Sequence, residues 1–150
     1  MSMVNPEAPL IDLDTYHEFR KDPELRERLL MAFKHMAAFY GFDVSGGETN
    51  CTLTPKDNFE KIASRSWLTN FDHNHLRITR IIRSLRVLGL ENVGTAFFKA
   101  LEEHAGNTIN ARSRSVWKKA AERPLNQRPD SDSPIGVKWL YDELNAIKSE

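Results

Sequence analysis

Apolar residues recur at three- and four-residue steps along most of this chain, the spacing that gathers them on one face of an α-helix. The pattern is clean over Leu25, Leu29, Ala32, Phe33, Met36 and Phe39 or Tyr40. Asp22-Pro23-Glu24 introduces it with a capping side chain, a proline suited to the first turn and an early carboxylate. Gly41 stands where a left-handed residue ends a helix. The main stripe is Ile78, Ile81, Ile82, Leu85 and Leu88, within about 120° of arc, in a helix that begins between Asn70 and Asn74 and ends at Gly89. Val93, Ala96, Phe97, Ala100 and Leu101 repeat it before Gly106. Ile109, Val116, Trp117 and Ala120 predict one more helix that stops before Pro124.

Shorter signals fill the gaps. Pro6 and Pro9 make residues 1–11 an extended lead-in, and Asp14 caps a short helix through about Arg20. After the Ser45-Gly46-Gly47 loop, Thr54-Pro55 with Asp57 opens a helix carrying Phe59, Ile62 and Ala63, and Trp67 and Leu68 plug the core from the next connection. Residues 124–133 are polar and rich in proline and serine, a mobile connector. Ser133-Pro134 then starts a last helix with Val137, Leu140, Tyr141, Leu144 and Ile147. No stretch alternates as a half-buried strand does, and no internal repeat is present. The expected fold is all-α, a compact orthogonal helical bundle of six to seven helices in a single domain over residues 1–150.

Composition agrees with that picture. With 150 residues, 40% hydrophobic and 28% charged, the chain suits one self-standing core. The single cysteine, Cys51, leaves no intrachain disulfide, and the first residues lack the basic and apolar regions of a signal peptide. These features point to an intracellular protein, cytoplasmic or nuclear, without a transmembrane segment; membrane contact would be peripheral. A net charge of zero argues against a dedicated nucleic-acid binder.

The ionisable groups concentrate in residues 72–86. Asp72, His73 and His75 are candidates for acid/base chemistry, since imidazole titrates near neutrality and a carboxylate can orient it. On a helix His73 and His75 point about 200° apart, whereas Asp72 and His75 can meet. In a pre-helix loop all three converge. The bland alternative is a cap from Asp72 or Asn74 with both histidines at the solvent edge. Neither His-Glu-x-x-His nor Cys-x-x-Cys spacing occurs, so no metal site and no cofactor is expected. Arg80 and Arg83 should point into solvent. Arg77 and Arg86 border the apolar face, where a guanidinium can hold a carboxylate, a phosphate or an internal acidic partner. Arg112, Arg114, Lys118 and Lys119 form a basic helix, with Trp117 read as core. No Gly-x-Ser-x-Gly elbow is present, and Cys51 has no neighbouring base to activate it.

The run His73-Asn74, Leu76-Arg77-Ile78-Thr79-Arg80-Ile81, Ser84-Leu85 and Leu88-Gly89-Leu90-Glu91 resembles the conserved region of the opioid growth factor receptor family. Upstream, Glu27-Arg28-Leu29, Ala32, Met36, Phe39-Tyr40-Gly41, Asn58 and Trp67 fit the same pattern, so that the resemblance runs from about Pro9 to Leu101. It implies an all-helical, receptor-like domain and supplies no catalytic residues. Two functions follow as expectations. The first is a binding domain for a peptide, protein or small molecule, with Asn74, Arg77, Trp67 and Arg86 as ligand contacts. The second is a small cyclase, isomerase or hydrolase acting on an apolar metabolite through His73, His75 and Asp72. Trp139 or Tyr141, if exposed, would support a homodimer.

Overall fold

The computed structural model describes residues 13–69, 73–125 and 142–143. In chain order these form α1 (Leu13–Lys21), α2 (Pro23–Phe39), β1 (Phe42–Ser45), β2 (Thr52–Pro55), α3 (Phe59–Ser66), α4 (His73–Val87), α5 (Glu91–His104) and α6 (Ala111–Glu122). The class is α, with six helices among the described residues and one small sheet. The 1–11 lead-in, the connector beyond Leu125 and, apart from helical Asp142 and Glu143, the final helix with Trp139 and Tyr141 lie outside the described residues. Glu143 reaches back to His17 of α1 at 3.4 Å.

α2 starts as its first residues require. The Asp22 carboxylate accepts the Glu24 N–H at 2.9 Å, and Pro23 takes the first-turn position where a missing N–H costs nothing. The buried face is Leu30, Phe33, Ala37 and the following Tyr40, not the stripe through Ala32 and Met36. α2 is apolar on two sides, and tertiary packing chose between them: Leu29 joins the small cluster of Tyr16, Val87 and Leu88 under α1, while Met36 and Phe39 stay exposed.

Gly41 ends α2 at φ +101°, and a Cβ there would come within 2.8 Å of the Phe59 ring. The chain leaves this turn as a hairpin, which corrects the expectation of no strands. β1 and β2 pair antiparallel, Phe42 opposite Pro55 and Ser45 opposite Thr52. Four residues per strand are too few to display a period of two, and Pro55 tolerates a strand end because it needs no ladder donor there. α3 consequently opens after Asn58 rather than at Thr54.

The hairpin carries Phe42 into the core, with Val44 and Leu53 packed against it. Trp67, fully buried, lies 6.2 Å from Phe42 and 6.1 Å from Trp117 between ring centroids, and its indole N–H donates to the Tyr40 carbonyl at 2.8 Å. α4 runs through the centre, burying Ile78, Ile82 and Leu85 against α5 and α6. Asn110 caps α6 by accepting the Ser113 N–H at 2.8 Å. Because α6 lies along α4, side chains from the first turns of both helices meet.

Candidate functional site

His75, in the first turn of α4, is at the centre of that meeting and only 3% exposed. Nε2 lies 2.8 Å from the Trp67 carbonyl, and Nδ1 lies 2.9 Å from Ser113 Oγ. A carbonyl can only accept, so Nε2 carries the hydrogen and Nδ1 of the neutral ring accepts from the Ser113 hydroxyl. The imidazole stands edge-on to Trp117 at 5.2 Å. The backbone carbonyl of His75 receives the Trp117 indole N–H at 3.1 Å and the Thr79 hydroxyl at 3.2 Å. The solvent-edge expectation for this histidine is therefore corrected: α6 covers it.

The same residues wall a cleft of about 240 Å³ between α4 and α6. Its polar side is His75, Ser113, Thr79 and the exposed Arg112; its apolar side is Val116, Trp117 and Leu76, the last 56% exposed. A hydroxyl, an imidazole, a cation and an uncovered aliphatic chain thus share one small volume. Two wider grooves differ in kind. The one between α2 and α3, about 430 Å³, and the one beside the end of α6, about 420 Å³, are rimmed by Lys61 and Arg65 or by Lys118, Lys119 and Arg123, with no imidazole in either lining.

The other sequence candidates go to different places. Asp72 lies outside the described residues, and of His73 only its position as the first residue of α4 is described. The Asn74 amide donates to the Ser66 carbonyl, and its Oδ1 is buried without a hydrogen-bond partner among the described residues. Trp67 is enclosed in the core, where its carbonyl faces His75 Nε2 and its ring packs against Trp117. Arg77 is exposed; its charge reaches the buried Tyr40 phenol, whose pKa burial pushes up and Arg77 pulls partly back. The structure brings none of Arg77, Arg86 or the Asn74 side chain to the cleft wall.

Arg86, expected at a border of the apolar face, is 5% exposed and turned inward. Its guanidinium donates to the Ala120 and Arg123 carbonyls at 2.7 and 2.8 Å and to Glu91 at 3.2 Å, closing the C-terminal end of α6 onto α4. Arg83 is likewise buried rather than solvated. It donates to the Leu125 carbonyl at 2.8 Å, and burial, with Arg86 adding repulsion, pulls its pKa down to about 10. Both arginines are displaced from solvent for one reason: α6 and the residues after it lie over their side of α4. Arg80 points outward as expected, and Trp117 is core. Among the described residues no three His, Cys, Asp or Glu side chains gather as a metal-ligand set.

Ser113, Thr79 and the placement of Arg112 were not legible as site features. Asn110-x-x-Ser113 reads locally as a helix start, and nothing in it announces a histidine 38 residues earlier.

Residues 2–119 match the Opioid growth factor receptor (OGFr) conserved region, and the chain belongs to that family. The match continues past Leu101 into α6 and so includes both walls of the cleft. The chain is 38% identical to the opioid growth factor receptor of Rattus norvegicus over 89 residues, 59% of this chain and 15% of that protein. It is 37% identical to the Homo sapiens receptor over 90 residues, 59% of this chain and 13% of that protein. Against opioid growth factor receptor-like protein 1 of Xenopus tropicalis the identity is 35% over 103 residues, 66% of this chain and 19% of that protein. The chain therefore spans less than a fifth of the length of these three relatives. No solved structure matches it. No helix among the described residues is long and apolar enough to cross a membrane.

Proposed function

We propose that the domain is an intracellular binding module whose ligand, a small molecule or a peptide end, joins an apolar group to an anionic one and docks in the α4–α6 cleft. The observation that carries this reading is the exposed Leu76 side chain beside the exposed Arg112 in a concave site, with the Ser113 and Thr79 hydroxyls on the same wall. An uncovered leucine facing a concavity gains by burying a ligand's apolar portion, and a guanidinium fixes a carboxylate by charge-assisted hydrogen bonds. Family membership supports a receptor-like role, since the animal relatives are named as receptors of an opioid growth factor. The cleft is smaller than the usual span of drug-sized sites, about 300–1,000 Å³, which favours a short ligand or one terminal residue of a peptide.

The test is a titration of isotope-labelled protein with hexanoate and, in parallel, with hexanol. Binding through the cleft shifts the amide resonances of Leu76, Ser113 and Val116 more strongly with the carboxylate, and Arg112→Ala weakens hexanoate by about tenfold, the worth of a charge-assisted hydrogen bond. Equal responses to both compounds, or shifts confined to other surfaces, would remove the reading.

A further inference from the structure

A hydroxyl within hydrogen-bond reach of an imidazole that a third group holds in one tautomer is the arrangement that activates a serine. Ser113, His75 and the Trp67 carbonyl satisfy each part: 2.9 Å from Oγ to Nδ1, and 2.8 Å from Nε2 to the carbonyl oxygen. His75 is nearly buried at the cleft wall, whereas Ser113 is half-buried on the same wall, so the reacting oxygen is the member of the pair that a substrate meets first and Nδ1 lies directly behind it. The Thr79 hydroxyl and the Trp117 indole both donate to the His75 carbonyl and hold the backbone that carries the ring.

We propose that Ser113 accepts an acyl group from activated esters of short apolar acids, with His75 as its general base. The inference rests on the cleft being the ligand site. Ser113 Oγ forms a bond to the carbonyl carbon while its proton moves to His75 Nδ1. Arg112, which lines the same cleft, would be the cation that offsets the negative charge developing on the carbonyl oxygen. The tetrahedral adduct then breaks its bond to the leaving oxygen, which departs as an alcohol with the proton from Nδ1. Water attacks the acyl-serine in turn, gives a proton to Nδ1, and releases the carboxylic acid with Ser113 restored. The net reaction is ester plus water to acid plus alcohol. Trp67 is a positioning residue here, acting through its carbonyl. That carbonyl bears no full negative charge to stabilise the imidazolium, which limits the chemistry to good leaving groups rather than amides.

The probe is p-nitrophenyl butyrate. The expected result is a burst of p-nitrophenol, a butyryl group on the peptide containing Ser113, and a slower burst in heavy water because the hydroxyl proton is in transfer. Ser113→Ala, which removes one half-buried oxygen from a helix and leaves the fold intact by circular dichroism, loses the adduct and lowers hydrolysis by about 100-fold or more, the usual scale of such assistance. Absence of an adduct on Ser113 in the natural protein, hydrolysis unchanged in Ser113→Ala, or a burst indifferent to heavy water each overturns the proposal. Hexanoate titration of the natural protein separates the two readings. Amide shifts at the cleft without acylation mean that the cleft binds and does not react; the absence of both removes the site altogether.

Discussion

The Trp117 indole donates to the backbone carbonyl of His75 at 3.1 Å while the same indole stands edge-on to the His75 ring at 5.2 Å, so one α6 side chain holds both the backbone and the imidazole of one α4 residue. This contact joins the core to the cleft. Trp117→Phe keeps the ring packing and deletes the donor. The carbonyl retains Thr79, so the loss should be about 1 kcal/mol in urea unfolding, against about 3–5 kcal/mol for Trp117→Ala, which also opens a cavity. Equal losses for the two substitutions would show that the hydrogen bond, not the packing, dominates.

Arg86 and Glu91 share an ion pair at 3.2 Å, yet their side chains are 6% and 67% exposed. Glu91→Ala removes a partner that water replaces and should cost under about 1 kcal/mol. Arg86→Met leaves the Ala120 and Arg123 carbonyls without their donor and should cost about 3 kcal/mol. Chemical denaturation of both variants at one pH measures the asymmetry. A costlier Glu91→Ala would mean the pair acts through the carboxylate and not through the end of α6.

Tyr40 is fully buried, and its hydroxyl finds no hydrogen-bond partner among the described residues. Removing an unpaired buried hydroxyl relieves a desolvation cost, so Tyr40→Phe should raise stability by about 1 kcal/mol. The pH dependence follows from the same burial. The folded phenol titrates above its ordinary value of 10.0, so the folded state holds this proton more tightly than the unfolded state does. Tyr40 therefore contributes no pH-dependent loss below pH 10, and stability falls as pH rises past 10 toward the folded pKa. Ultraviolet titration should show a late tyrosinate component that Tyr40→Phe removes. Early titration of every tyrosine in the folded protein would contradict the burial.

Local signals explain what was legible from the chain. Asp22, Gly41 and Gly89 act on their own neighbours, and the helix ends fall close to where these residues put them. The placement of Trp117 in the core followed from helical spacing, and that of Trp67 from its position in the connection after α3. The hairpin stayed hidden because β1 and β2 bury few residues each, and the rotation of α2 stayed hidden because two of its faces are apolar. The site was the least legible part. His75 meets Ser113 across 38 residues, and Arg86 meets its two carbonyls across 34 and 37, so their roles are set by how α6 lies on α4. Spacing along one helix marked Arg83 for solvent, and one reading of the helix start put His75 at its edge; the second helix took both out of it.

The tautomer of His75 is the most direct check on the site's chemistry, because it depends on Trp67 alone. The Trp67 carbonyl requires a hydrogen on Nε2, leaving Nδ1 as the acceptor. Nitrogen-15 spectra of the neutral ring should show a pyrrole-like Nε2 and a pyridine-like Nδ1. Ser113→Ala should preserve that assignment, since the carbonyl still selects it, while moving the Nδ1 resonance as its donor disappears. If the hydrogen sits on Nδ1 instead, Ser113 is an acceptor and its proton has no base to go to. The pair would then be a structural link between α4 and α6, and the acylation chemistry would fall with it.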